Sequence, residues 1–503
     1  MTATFNAQIA ADSIAAGNVR LLGPESNVIE CELSAIGSSV QIIPKTSLPG
    51  DTRFTLHLDG AIRDATGRTL GATVLASFLT ASQAWAATAT GVGTLSSYTS
   101  GTHPSAVALP SGDVMIAWHG GLAGRDTVFA SRYSTRRGSW SAPVTVHAST
   151  QFGVIGPLSI AACPNDDVVM FWGEIVSGNS QIEGARYTAS SGSWSSLGNI
   201  QVVPDFISVS AATVVVDSHG NITVAAGTGV SLYAIRWDAA SSAWSVPQRI
   251  DHPVASGYLL SLRVTVDALD VVVAAWIQAD DDNSRSVYVA RYDPAVGTWG
   301  AAKRAGTNAM QYMAMAVDGA GAITVAWATG MSLSSSPTLW SSRWLPGQDQ
   351  WSAQVRLDSD SVFGVGAPVL VADAAGYVTA SWMQDGTPRA ARYASGTGWS
   401  VPQQLSNRGT PGTTQLDLVA DIAGNLTLTL TEAQSQPMAL RYSATQSQWL
   451  VAVPVGAPSA GTAVFANDPI AVVDRAGNLT LAWMAWNKVH GAATYVVSVN
   501  RLQ

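Results

Sequence analysis

The chain is poor in cysteine, lysine and positive charge, and each shortage removes a class of protein. Its 503 residues hold two cysteines, Cys31 and Cys163, too few for a disulfide-stapled fold. Scarce cysteine suits a secreted Gram-negative protein and a cytoplasmic one equally, so it leaves the compartment open. Three lysines (Lys45, Lys303, Lys488) and a net charge of −8 argue against a nucleic-acid partner, whose phosphates demand a basic face. No apolar run reaches the roughly 18 residues of a membrane-spanning helix, which argues against membrane insertion. The seven histidines show neither His-x-His nor His-Glu-x-x-His spacing, which argues against zinc. Charged residues make up only 12% of the chain against 47% hydrophobic, as in β-rich proteins whose surface polarity comes from Ser, Thr, Asn and Gln.

What the chain does have is a repeat. Eight times a turn position is followed nine residues later by the end of an apolar strand: Leu109/Trp118, Cys163/Trp172, Asp217/Ala226, Asp267/Trp276, Asp318/Trp327, Asp373/Trp382, Asp421/Leu430 and Asp474/Trp483. Each unit continues to an Arg: Arg132, Arg186, Arg236, Arg291, Arg343, Arg392, Arg441 and Arg501. Tyr or Trp follows every one of these except the last, where Leu502 stands. A Trp comes seven or eight residues after the Arg in seven units. The last unit stops short of its Trp, and Trp85, 24 residues before Leu109, supplies the missing piece from the other end.

A period of about 50 residues suits helical solenoids and propellers alike, and the pattern decides between them. Val369 to Trp382 reads as strand, tight turn and strand, with Gly376 at the turn, and no repeat carries a helical stripe. Residues 392–402 form a second hairpin in which Pro402 falls where only an outer edge strand tolerates a lost N–H. Each unit is therefore expected to be a four-stranded blade. The fold class is all-β, with an eight-bladed β-propeller over residues 83–503 whose last blade closes by one strand from the N-terminal side and three from the C-terminal side. The repeating tryptophans are read as packing between blades.

Residues 1–82 lack both Trp and the repeat. Short alternating strands and Gly turns run through them, with Leu48-Pro49-Gly50 leading to Phe54-Thr55-Leu56 and Asp64-Ala65-Thr66-Gly67-Arg68-Thr69-Leu70. This segment resembles the bacterial immunoglobulin-like domain of surface-layer and adhesin proteins, over about residues 3–80. The resemblance implies a small β-sandwich, a stalk role and secretion or surface display. The first strand is expected to be missing or shortened, and an export signal is expected upstream of Met1. The repeat region resembles sialidase-like and Asp-box-related bacterial propellers through Asp-x-x-Gly-Asn-x-Thr, seen at Asp217–Thr223, Asp421–Thr427 and Asp474–Thr480. It departs from the Asp-box itself, and its arginines belong to the repeat, so no sialidase catalytic residue transfers to this chain.

Turn lengths point to a face. The nine-residue turn unit never changes, whereas the interval from the second strand's end to the Arg runs from 10 to 18 residues, so the variable loops are the expected ligand side. Ligand-binding candidates there are Trp486, Lys488, His490, His119, Arg125, Glu174 and Asp385. Trp486 stands out because no other blade has Trp three residues past the strand end. Glu174 and Asp281 are the pair that would act as acid and base if the molecule is an enzyme. Asp280, Asp281 and Asp282 form the most acidic run and would suit Ca²⁺, the one cofactor the sequence suggests. Against these stand plain readings: the repeated aspartates cap turns or bridge to the repeated arginines, and the acidic run is a solvated loop.

The expectation is an extracellular or cell-surface binding protein, adhesin-like or lectin-like, that recognises carbohydrate or another surface ligand. The alternatives are a glycoside hydrolase or lyase acting on polysaccharide, and a protein-docking module of an extracellular fibre or secretion assembly. Catalysis is disfavoured because no cluster of acid, base and nucleophile stands outside the repeat.

Overall fold

The computed structural model describes residues 1–503 apart from 16, 46–47, 51, 82, 96–102, 123–124, 150–153, 177–178, 201, 203–208, 254–257, 283, 330–335, 349, 360–363, 407–414, 432–436, 457–464, 490–491 and 503. It is built of strands, with two short 3-10 turns among the described residues and no helix long and apolar enough to cross a membrane.

Residues 2–79 form a sandwich of two antiparallel sheets, one of three strands and one of four. The strand Ser39–Pro44 alternates, with Val40 and Ile42 buried and Gln41 and Ile43 outward, and Arg53–Leu58 buries Phe54, Leu56 and Leu58 in the same way. The two inward rows meet in a core with Val19 and Ile62. The first strand, Thr2–Thr4, is three residues long and pairs with residues 39–41.

From Thr90 onward the chain makes eight antiparallel sheets. Their first strands touch one another in chain order, and Phe465–Val473 of the last returns against Ser105–Ala108 of the first, so the sheets form a ring. The last sheet takes its outer strand, Thr90–Leu95, from the N-terminal side of the repeat, pairing it with Tyr495–Val499, while Trp85 bridges to Leu502. Second strands are buried on both faces because each blade is covered by its two neighbours. Val272–Ala279, buried at all eight positions, therefore reads as a continuous apolar run rather than an alternating one. The Trp at the nine-residue offset, which lies within this strand, is at 0–1% exposure in six blades, where each indole contributes about 1.5–3 kcal/mol. In blades 1, 3 and 6 the outer strand is split in two around a Ser-x-Pro segment, as at Ser139–Trp140 and Val144–Ala148, where Pro cannot donate to the ladder.

The turns explain the repeated Asp and Arg. In Asp217, one carboxylate oxygen accepts the N–H groups of His219 and Asn221, and the other accepts Arg236. Asp318, Asp373 and Asp474 act alike toward Arg343, Arg392 and Arg501. Blades 1 and 2, with Leu109 and Cys163 at the first turn position, shift the carboxylate four residues on. Asp113 meets Arg132 at 2.9 Å and Asp167 meets Arg186 at 2.7 Å.

The sandwich does not stand clear of the propeller. It rests on the turn face of blade 7, where Ala423 packs with Leu21, Ile29 and Phe54. Asn27 donates to the Ile422 carbonyl at 2.6 Å, and Asn425 to the Thr52 hydroxyl at 2.9 Å. Arg441 reaches Gln83 at 2.8 Å and the Gly50 carbonyl at 3.2 Å. The sandwich is thus held to the propeller by buried contacts.

Candidate functional site

Among the described residues, a concavity lies between blades 1 and 2, and the repeat builds its walls. Arg132, held by Asp113, extends across to blade 2, where its guanidinium lies 5.5 Å from the Tyr187 ring centre and donates to the Tyr187 hydroxyl at 2.9 Å. Trp140 packs against Tyr133 with ring centres 5.4 Å apart, and Trp194 against Tyr187 at 5.6 Å, so each indole is braced by its own hairpin. Both indoles are half-buried and leave an apolar face in a cavity of about 680 Å³. Hydroxyls of Ser131, Ser134 and Ser139 and the exposed Arg136 and Arg137 complete the lining. This cavity opens beside the turns of constant length, not beside the variable loops where the sequence placed the ligand side.

Three residues along the outer strand from Val144, which lines the cavity, His147 begins a polar cluster. Its Nε2 lies 2.9 Å from Glu174 Oε2. Glu174 also accepts the Trp172 indole N–H at 3.4 Å and is 2% exposed. The Glu174 hydrogen bond raises the His147 pKa against the opposing effect of burial. For Glu174, burial pushes upward, but the bonds from His147 and Ser149 outweigh it and hold the carboxyl below its ordinary range. Glu183, half-buried and bonded by Gln181 at 2.8 Å, is pushed up by burial and then by the charge of Glu174.

Glu174 has counterparts two residues past the Trp in other blades. Gln278 accepts the Trp276 indole N–H at 3.0 Å, and Gln384 that of Trp382 at 3.2 Å. Each of these glutamines then ties back to the end of the preceding blade, at His252 and Ser359. Glu174 is thus the charged version of an inter-blade brace, with His147 as its counter-ion. Its interactions come from blades 1 and 2, whereas Asp281 lies beyond Val272–Ala279 in blade 4, and the two are not brought together as an acid/base pair.

The other candidates disperse. His119 is fully buried and bonds Asp126 at 3.2 Å, whose other oxygen accepts the Ile155 N–H of blade 2, so it presents nothing to solvent. Arg125 is exposed at the start of the third strand. Asp385 and Gly386, with φ of 49° and 77°, form a two-residue hairpin turn, the conformation that Asp-Gly favours. Asp280 is mostly buried and accepts the hydroxyls of Ser284, Ser286 and Tyr288, while Asp281 and Asp282 are exposed. A Ca²⁺ ion at that run would have to displace those hydroxyls from Asp280. Residues 479–489 and 492–502 continue as two long paired strands, so Trp486 and Lys488 stand in a ribbon and not in a loop; their side chains and all of His490 lie outside the described residues. Among the described residues, the metal-capable group is Asp217, His219 and Asp270, with ligand atoms within 4.8 Å of one another. Asp217 is already engaged by Arg236, and Asp270 by Ser218.

Sequence reasoning missed His147, Glu183, Trp140 and Trp194. The two tryptophans were legible as repeat positions, but nothing in the sequence marks them as half-exposed.

Comparison with known proteins bears on the fold. Residues 1–80 match the family profile of the bacterial Ig-like domain. Among solved structures, the chain is similar to the Dos1 propeller, at 9% identity and a TM-score of 0.51, covering 82% of this chain and 94% of that one. It is also similar to a PL25 polysaccharide lyase described as an ulvan lyase, at 11% identity and a TM-score of 0.47, covering 75% and 96%. A third likeness is to an α-L-arabinanase of Penicillium chrysogenum complexed with arabinobiose, at 11% identity and a TM-score of 0.43, covering 73% and 100%. No curated protein matches the chain in sequence. At these identities the likeness is one of fold. The fold is an immunoglobulin-like sandwich joined to a β-propeller.

Proposed function

We propose that this is a secreted or surface-displayed bacterial binding protein whose propeller recognises carbohydrate in the cleft between blades 1 and 2. The observation that carries the reading is the pair of half-buried indoles, Trp140 and Trp194, beside Arg132 in a cavity of about 680 Å³. That volume falls within the roughly 300–1,000 Å³ of small-ligand sites. Indole faces cover the C–H faces of a pyranose, while serine hydroxyls and guanidinium N–H groups bond its hydroxyls. The Ig-like domain favours export, since the family it resembles recurs in surface chains. Binding is preferred to glycoside cleavage because Glu174 is closed off and engaged by His147, Ser149 and Trp172.

A glycan array probed with the full chain, with Trp140→Ala, Trp194→Ala and Trp486→Ala beside it and with Ca²⁺ present or chelated, tests the proposal. Selective binding that falls at least about tenfold in the first two variants, as expected when a stacking ring is lost, supports the cleft. Loss confined to Trp486→Ala moves the site to the ribbon of residues 479–489 and 492–502, and loss on chelation makes Ca²⁺ part of it. Silence across the array would overturn carbohydrate recognition in favour of a protein partner.

A further inference from the structure

The cleft between blades 1 and 2 has a counterpart across the ring. Between blades 6 and 7, Arg392, Tyr442 and Trp449 line a cavity of about 290 Å³. Their places in the repeat are those of Arg132, Tyr187 and Trp194. The guanidinium of Arg392 is held by Asp373 at 2.6 Å and lies 4.8 Å from the Tyr442 ring centre. Arg132 is held in the same way by Asp113 at 2.9 Å and lies 5.5 Å from the Tyr187 ring centre. These shared parts join neighbouring blades and belong to the scaffold. Ligand choice in the blade 1–2 cleft therefore falls to what it has beyond them.

The difference lies in two arginines. Arg136 and Arg137 occupy the turn between the strands Arg125–Ser134 and Ser139–Trp140 of blade 1 and line the cavity of about 680 Å³. Between the repeat Arg and its Trp, blades 2 to 7 hold no Arg or Lys, and three of them carry an aspartate there: Asp238, Asp293 and Asp349. Blade 6 has Gly396 and Thr397 in this turn. Arg136 and Arg137 are exposed, and among the described residues neither side chain has a hydrogen-bond or ion-pair partner. The cavity lining thus holds three arginines, Arg132, Arg136 and Arg137, against the one carboxylate of Asp113, which Arg132 already occupies. Composition does not account for this excess, since the chain has 26 Lys and Arg against 34 Asp and Glu.

We infer that the blade 1–2 cleft selects acidic saccharides, with Arg136 and Arg137 reading the negative group of a uronate or a sulfate ester; this rests on the carbohydrate reading above. The planar fork of arginine matches two oxygens of a carboxylate or sulfate. A local positive field on a chain of net negative charge draws an anionic chain to this place and not elsewhere. Saccharide is favoured over acidic peptide because the half-buried indoles Trp140 and Trp194 and the serine hydroxyls suit a ring that bears hydroxyls.

Binding of the full chain to matched pairs tests this: oligogalacturonate and oligomannuronate beside their methyl esters, dextran sulfate beside dextran, and polyglutamate as the acidic peptide. At least one acidic glycan is expected to bind at least about tenfold more tightly than its neutral partner. A preference for the uronates assigns a carboxylate, and one for dextran sulfate assigns a sulfate ester. Neutral members bound as tightly as acidic ones would overturn charge selection and leave carbohydrate recognition standing, whereas silence from every glycan would overturn both. The double variant Arg136→Gln, Arg137→Gln should melt with the parent and lose the preference, and Arg136→Lys, Arg137→Lys should keep part of it. A preference intact in the glutamine variant, or polyglutamate bound as tightly as the acidic glycans, would overturn the inference. Should the glutamine variant fail to fold, phenylglyoxal labelling of the parent, read by peptide mass, decides: the bound acidic glycan must slow modification of Arg136 and Arg137, and an unchanged rate sinks the proposal.

Discussion

The guanidinium of Arg501 lies 4.3 Å from the centre of the Tyr133 ring, joining the last blade to the first. It completes a series in which the repeat arginine of one blade stacks on the aromatic residue that follows the repeat arginine of the next. Arg236 lies over Tyr292, Arg291 over Trp344, Arg343 over Tyr393 and Arg392 over Tyr442. This accounts for the Arg-aromatic pair in the sequence, since the two members serve different neighbours. Leu502 breaks the series, and the arginine it leaves without a ring, Arg441, is the one that turns to the N-terminal domain.

Arg501 also holds Asp474 at 2.8 Å, and the Asp474 side chain is 0% exposed. Arg501→Met therefore strands a buried carboxylate and is expected to cost about 3–5 kcal/mol. Tyr133→Leu, which removes the ring stacked on Arg501 and packed against Trp140, is expected to cost about 1–3 kcal/mol. Urea unfolding followed by tryptophan fluorescence would rank the two; equal costs would mean that the stack and not the ion pair closes the ring.

Ala423, 1% exposed beneath the sandwich, is a place to separate the domains. Ala423→Arg is expected to lift the sandwich away, splitting one calorimetric transition into two and increasing the radius of gyration in solution. A single transition at the parent temperature would show that the contact carries no coupling.

The His147–Glu174 pair makes stability depend on pH. His147 has its pKa raised by Glu174, so its contribution is complete below the unfolded value of about 6.5 and is lost as pH rises through the raised one. Glu174, shifted down, contributes above its unfolded value of about 4.3 and loses that contribution as pH falls through the lowered one. The parent should therefore soften above about pH 6.5, and His147→Gln should flatten that limb of the profile. An unchanged slope in thermal melts across this range would rule out the pair as its source.

Gly306 faces the buried Trp327 ring so closely that a Cβ would overlap it. Gly306→Ala is expected to cost about 1–3 kcal/mol, as overpacking does. A melting temperature equal to the parent's would mean that the indole can shift.

Read alone, the sequence suffices for the repeat, the strands, the buried Trp at the nine-residue offset and the capping role of the turn aspartates. These depend on hydrogen bonds and burial patterns within one unit of about 50 residues, where chain order and spatial order coincide. It does not reveal that Asp113 and Asp167 replace the missing first-position aspartates, because that substitution is recognised only once both positions are seen to meet the same Arg. Nor does it show that Glu174 braces a tryptophan beside His147, that Trp140 and Trp194 share a cavity, or that Arg441 serves the sandwich. These are contacts between separate units, and which side chains meet there is settled by how the sheets stack around the axis. That stacking is decided by burial summed over whole faces, which no local pattern encodes.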